Sequence, residues 1–158
     1  MKNILLRATC AIAIPALVSA ANADDNFTDC RGSSTLEISE KGIKVEVAND
    51  QRSRNYGLMF RSSLGENCGM VFVFPTSRFR TFTMRNTLIP LDIAFMDANG
   101  EILEIQTMQP GVDRYPSRVK ARYVLEMNAG WFSSNNIEKG QTLELRSGDE
   151  LVPINSLK

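Results

Sequence analysis

Gly69-Met70-Val71-Phe72-Val73-Phe74-Pro75 decides the fold. The run is continuously apolar, β-branched and aromatic, and a glycine and a proline bound it. It predicts a strand buried on both faces. Such a strand needs neighbours, and the flanking sequence supplies them. Residues 35–39 (TLEIS) and 43–48 (IKVEVA) alternate with period two, with Leu36 and Ile38 on one face and Ile43, Val45 and Val47 together. The Glu40-Lys41-Gly42 turn between them makes a hairpin. Asn49 or Asp50 offers an N-cap to a short helix over 51–60. Gly57 inside that helix costs about 1 kcal/mol relative to Ala, which implies close packing or an early end.

Beyond the central run, residues 81–87 (TFTMRNT) and 91–97 (LDIAFMD) are expected as strands. Asn99-Gly100 then turns the chain into 101–108 (EILEIQTM). Residues 109–121 hold Pro110, Gly111 and Pro116 and read as an irregular loop. Residues 123–127 (YVLEM) and 142–146 (TLELR) are further strands, with one helical turn over 131–136 between them. The sum is a mainly β (α+β) protein of about eight short strands and two short helices. Short connections favour antiparallel pairing in a compact barrel-like or strongly curved sheet.

The chain of 158 residues carries 18 basic and 18 acidic side chains and no histidine. Electrical neutrality removes the usual case for a nucleic-acid partner. The missing histidine excludes Ser-His-Asp and Cys-His catalysis and every histidine-ligated metal site. No catalytic residue, cofactor or metal is assigned.

The first 23 residues read as a cleaved signal peptide. Lys2 and Arg7 form a positive start, Ala8 to Val18 is mostly apolar, and Ala21-Asn22-Ala23 supplies the small-x-small cleavage pattern. The apolar stretch is short for a bilayer span and Pro15 interrupts it. Cys10 lacks the aliphatic neighbour of a lipoprotein signal. Cleavage would remove two basic residues and leave a net charge of −2. Residues 24–34 then form a polar arm and 35–158 a single domain, periplasmic or secreted, with no membrane span after cleavage. Cys30 and Cys68 are the remaining cysteines. An oxidising compartment makes a bridge between them the first hypothesis, closing a loop of about 39 residues worth about 4 kcal/mol. Two independent thiols are the alternative.

Motifs are densest between Gly57 and Asp97: Leu58-Met59-Phe60-Arg61, the Gly69–Pro75 run, Phe82, Met84-Arg85-Asn86-Thr87, and Ile89-Pro90-Leu91-Asp92-Ile93. Their order resembles the exported bacterial family known as domain of unknown function 192 (DUF192). The resemblance continues through Tyr123-Val124-Leu125-Glu126, Ala129-Gly130 and Lys139-Gly140. It implies a single exported β-rich domain and no established activity. Three positions stand apart from the family pattern. Thr83 stands where a Trp is usual, Arg85 where a Lys is usual, and Cys68 belongs to this chain rather than to the pattern.

Arg61, Arg85, Asn86, Thr87 and Asp92 are the candidate ligand-binding residues. A cation, an amide and a hydroxyl stand in sequence at 85–87, and Asp92 points away from the face of Leu91 and Ile93. An arginine opposite Asp92 would recognise a small polar ligand such as a sugar or carboxylate. The competing reading is structural, with an ion pair and with Asn86 and Asp92 bonding the backbone around Pro90. The leading expectation is a non-catalytic binding or accessory module of the envelope. One alternative is a carbohydrate-acting hydrolase using two of Asp92, Asp97, Glu104 and Glu126, although acids alternating on strands usually mark a solvated face. Another is a structural domain that binds an envelope protein. Trp131 and Phe132 would anchor such a partner or a sugar ring, or else cover one end of the sheet.

Overall fold

A computed structural model describes residues 30, 31 and 34–157. The leader and most of the arm lie outside the described residues. Ten strands and two short helices follow in order: β1 (Ser34–Ile38), β2 (Lys41–Ala48), α1 (Gln51–Tyr56), β3 (Cys68–Arg78), β4 (Thr81–Phe82), β5 (Leu91–Met96), β6 (Ile102–Met108), β7 (Tyr115–Pro116), β8 (Ala121–Asn128), α2 (Trp131–Ser134), β9 (Leu143–Ser147) and β10 (Glu150–Pro153).

Eight strands make one sheet in the order β10-β9-β1-β2-β3-β8-β5-β6, and β4 pairs with β7 in a separate two-stranded ladder. The expected mainly β architecture is present. Barrel closure is not: β10 and β6 end the sheet, and a single bridge, Glu101 to Thr142, reaches from the start of β6 towards β9. All ladders are antiparallel except β2–β3, which is parallel because α1 carries the chain back across the sheet. The central position of the β3 run is as the sequence implies. It lies between β2 and β8, and Cys68 to Phe72 are all buried.

The sheet has a core on each face. Leu36, Ile38, Ile43, Val45, Tyr123, Leu125 and Met127 pack on one side, closed by Trp131, Phe132, Leu143 and Ile154. Phe72, Leu91, Ile93, Phe95 and Val124 pack on the other, beneath Leu58 and Met84. Cys30 is bonded to Cys68, with Cα atoms 5.3 Å apart, so the start of the described chain is fastened to the start of β3.

Four expectations need local correction. The helix ends at Tyr56 rather than at Phe60, because Gly57 takes φ 52° and its N–H closes on the Ser53 carbonyl. The strand expected over 81–87 stops at Phe82. Asn86 turns at φ 58° and Thr87 donates to the Met84 carbonyl, so 84–87 is a turn. The loop expected over 109–121 contains β7, and β10 follows the Gly148-Asp149 turn where no strand was expected. At the helix start, Asp50 is the cap: its carboxylate accepts from the N–H groups of Arg52 (2.8 Å) and Ser53 (3.0 Å).

Candidate functional site

An open pocket of about 710 Å³ lies on the Phe72–Phe95 side of the sheet. Its origin is a change of pairing in β3. That strand pairs with β8 up to Val73 and meets it again only at Arg78, so the stretch between lifts away as a rim. Phe72 and Phe74 come from β3, Phe82 from β4, Gly57 and Leu58 from the end of α1, and Thr83 and Thr87 from the following turn. Phe82 packs edge-on against Phe72 (5.1 Å between ring centres) and Phe95 (5.9 Å), which fixes the aromatic wall. On the other side Gly57 is required by its backbone, φ 52°, rather than by space. A Cβ there would stand 3.5 Å from the Phe72 ring, on a backbone that side chains rarely adopt.

The most buried polar residue of the lining is Glu126. It faces Met70 on β3 and Ile93 on β5 across the ladders, and only 5% of its surface is exposed. Among the described residues its carboxyl accepts no hydrogen bond, and it lines the pocket. Burial pushes it up to about 8, so it is an uncharged acid at neutral pH. As one of several strand acids it was expected on a solvated face. The signal against that lies in its neighbours: Tyr123, Val124, Leu125 and Met127 are apolar on both faces, so β8 has no wet side.

Arginines occupy the rim. Arg54, Arg78 and Arg80 all line the pocket, and none has a carboxylate partner among the described residues. The guanidinium carbons of Arg80 and Arg54 lie 3.8 and 5.3 Å from the centre of the Phe74 ring. Arg54 also donates to the carbonyls of Asn49 and Val73 (2.7 and 2.9 Å). Arg80 donates to those of Thr76 and Ala121. Burial, then the charges of Arg78 and Arg54, hold Arg80 below the usual guanidinium range.

Of the five candidate residues, Thr87 alone lines this pocket. Arg61 is paired with Glu46 at 2.7 Å. Arg85 is exposed, with no side-chain hydrogen bond among the described residues, and its backbone N–H donates to the Thr83 hydroxyl. Asn86 accepts from the Phe60 N–H at 2.7 Å through its backbone carbonyl. Asp92 points to the opposite face, as the alternation implies. There it is buried and accepts from the Thr107 hydroxyl (2.7 Å) and the Gly130 N–H (2.8 Å). The structure therefore brings neither arginine to Asp92.

The other acids are also dispersed. Asp97 accepts from the N–H groups of Asn99 and Glu101 in the hairpin turn. Glu104 accepts from the Arg118 N–H and from the Gln106 side chain. Trp131 and Phe132 are buried and cover the other core, with the indole N–H donating to Asn67 at 3.0 Å.

An open β-sheet with a polar-floored, arginine-rimmed pocket on one face defines the class. The chain belongs to the family described as DUF192, an uncharacterised ACR, whose model matches residues 34–145. Two solved structures share the fold. One, from Sinorhizobium meliloti 1021, is described as a "putative transcription regulator". It is 31% identical, with a TM-score of 0.68, over 71% of this chain and 92% of that one. The other, a protein of unknown function from Novosphingobium aromaticivorans DSM 12444, is 30% identical. Its TM-score is 0.66, over 70% of this chain and 83% of that one. No curated protein matches.

Proposed function

We propose that the protein is a non-catalytic binding or accessory module that works after export, in the periplasm or outside the cell. Glu126 carries this reading: a buried carboxyl that lines an open pocket and has no hydrogen-bond partner among the described residues is an arrangement that a ligand completes. Export is supported by the leader-like sequence at residues 1–23 and by the Cys30–Cys68 bridge, which suits an oxidising compartment.

The hydrolase reading has less support. Two-acid glycoside hydrolysis needs a second carboxyl across the cleft, and Glu126 is the single acid among the pocket's lining residues. The regulator description of the Sinorhizobium relative has little to rest on here. The described helices are six and four residues long, too short for a recognition helix spanning a major groove. No described helix is long and apolar enough to cross a membrane.

A thermal-shift screen of the purified protein with sugars, organic acids and phosphate esters tests the reading. A ligand at a hundred times its dissociation constant should add about 2.7 kcal/mol. Glu126→Gln or Thr87→Val should reduce that shift in a protein that still folds. Turnover of a glycan that disappears in Glu126→Gln would instead establish the hydrolase.

A further inference from the structure

We infer that the pocket takes an amphipathic anion, a carboxylate or phosphate monoester on an apolar body the size of one ring, with its charge at Arg54, Arg78 and Arg80 and its body along Phe72 and Phe82. This inference rests on the reading of the pocket as a ligand site.

Three separate elements deliver the cations to one rim: α1 supplies Arg54, the end of β3 supplies Arg78, and the turn into β4 supplies Arg80. Like charges gathered this way repel one another, and none of the three is ion-paired among the described residues; Asp50 at the start of α1 interacts with Arg54 only through space. The arginine–carboxylate pairs among the described residues are Arg61 with Glu46, Arg118 with Glu104 and Arg146 with Glu37. The backbone carbonyls that Arg54 and Arg80 engage hold the two side chains in place without neutralising them. A guanidinium has five donors, so both keep donors for an oxyanion, which a planar fork binds in bidentate fashion. Stacking on Phe74 fixes the planes of the forks before any ligand arrives.

The inner half of the pocket sets the rest of the ligand. Its walls are aromatic, and its polar end is an acid that burial keeps uncharged, so a largely apolar body fits, with room for one neutral hydrogen-bonding group at Glu126 and none for a second charge. A neutral sugar would leave the three arginines without a counter-charge.

Calorimetric titration with 3-phenylpropionate, phenyl phosphate and the neutral 3-phenylpropanamide tests the assignment. Both anions should bind at least about tenfold tighter than the amide, a difference of about 1.4 kcal/mol. Arg78→Gln, at an exposed position, should remove most of that difference and leave the amide unaffected. Arg80→Gln should do the same if it folds. Equal affinity for anions and amide, or an anion preference that survives Arg78→Gln, would overturn the anion assignment while leaving a ligand pocket. Failure of all three probes to bind at millimolar concentration would overturn the pocket reading as well.

Discussion

The backbone N–H of Phe60 donates to the carbonyl of Asn86 at 2.7 Å, and both residues hold left-handed backbone, at φ 63° and 58°. This bond joins the segment after α1 to the turn after β4, two blocks 26 residues apart that both contribute to the pocket lining. Asn tolerates this conformation better than most side chains, and a β-branched residue tolerates it poorly. Asn86→Gly should therefore be close to neutral. Asn86→Val should cost roughly 1–2 kcal/mol and loosen the pocket. Denaturant midpoints of the two variants check this, and equal midpoints would show that the turn is not strained by side chains.

Glu126 makes stability depend on pH. In the unfolded chain its carboxyl titrates near 4.5, and in the folded chain near 8. Between these values the folded state holds a proton that the unfolded state has lost, so stability falls as pH rises through the window. The slope approaches about 1.4 kcal/mol per pH unit and levels off above 8. Glu126→Gln should flatten this dependence, matching the parent protein near pH 4.5 and exceeding it at pH 8. Urea unfolding across that range is the measurement. Parallel curves for the two proteins would mean that the carboxylate is solvated.

Asp92 illustrates the opposite use of a buried acid. Its two oxygens are spoken for by Thr107 and Gly130, and the second bond fastens the turn before α2 to β5. Asp92→Ala removes the acceptor of the part-buried Gly130 N–H and of the Thr107 hydroxyl, with an expected loss of roughly 1–3 kcal/mol. Anion affinity measured well below the midpoint should be unchanged. A loss of affinity with unchanged melting would return Asp92 to the ligand site.

The sequence carried the strand faces well because burial on one side imposes a period of two. Leu36, Ile38, Ile43 and Val45 all face the core that their alternation implies. It carried Asp92's orientation for the same reason. The pocket was harder to read. Arg54, Arg78 and Arg80 belong to different elements, and only the lift of β3 beyond Val73 gathers them. Nothing local in Arg78-Phe79-Arg80 announces a shared rim. The parallel β2–β3 pair was hidden too: the 49–67 link is long enough for a parallel crossover, but α1 covers only Gln51–Tyr56 of it and does not announce one.

The Cys30–Cys68 bridge ties residue 30 to the first residue of the central strand. Its reduction, or Cys30→Ser with Cys68→Ser, should lower stability by about 2–4 kcal/mol. Unfolding with and without reductant measures the loss, and thiol labelling of the unreduced protein should find neither cysteine. Cys68 is itself buried, so the double serine variant also carries a small packing cost that reduction alone does not. Identical stability in oxidised and reduced protein would show that the bridge constrains nothing.

Thr83 lines the pocket and is exposed, which makes it the place to close the site without touching the core. A tryptophan there has room to swing over the aromatic wall of Phe82, because the side chain it replaces buries little. Exposed substitutions of this kind usually alter stability by no more than about 0.5 kcal/mol. Thr83→Trp should thus leave the denaturant midpoint nearly unchanged and weaken 3-phenylpropionate binding by about tenfold or more. Its indole also reports on the pocket, since Trp131, the native tryptophan, is buried in the other core. An added emission band that responds to 3-phenylpropionate in the parent-like fold, with affinity intact, would place the ligand away from Thr83 and towards the Arg54 side of the rim. Unchanged affinity with an unresponsive indole would place it outside the pocket altogether.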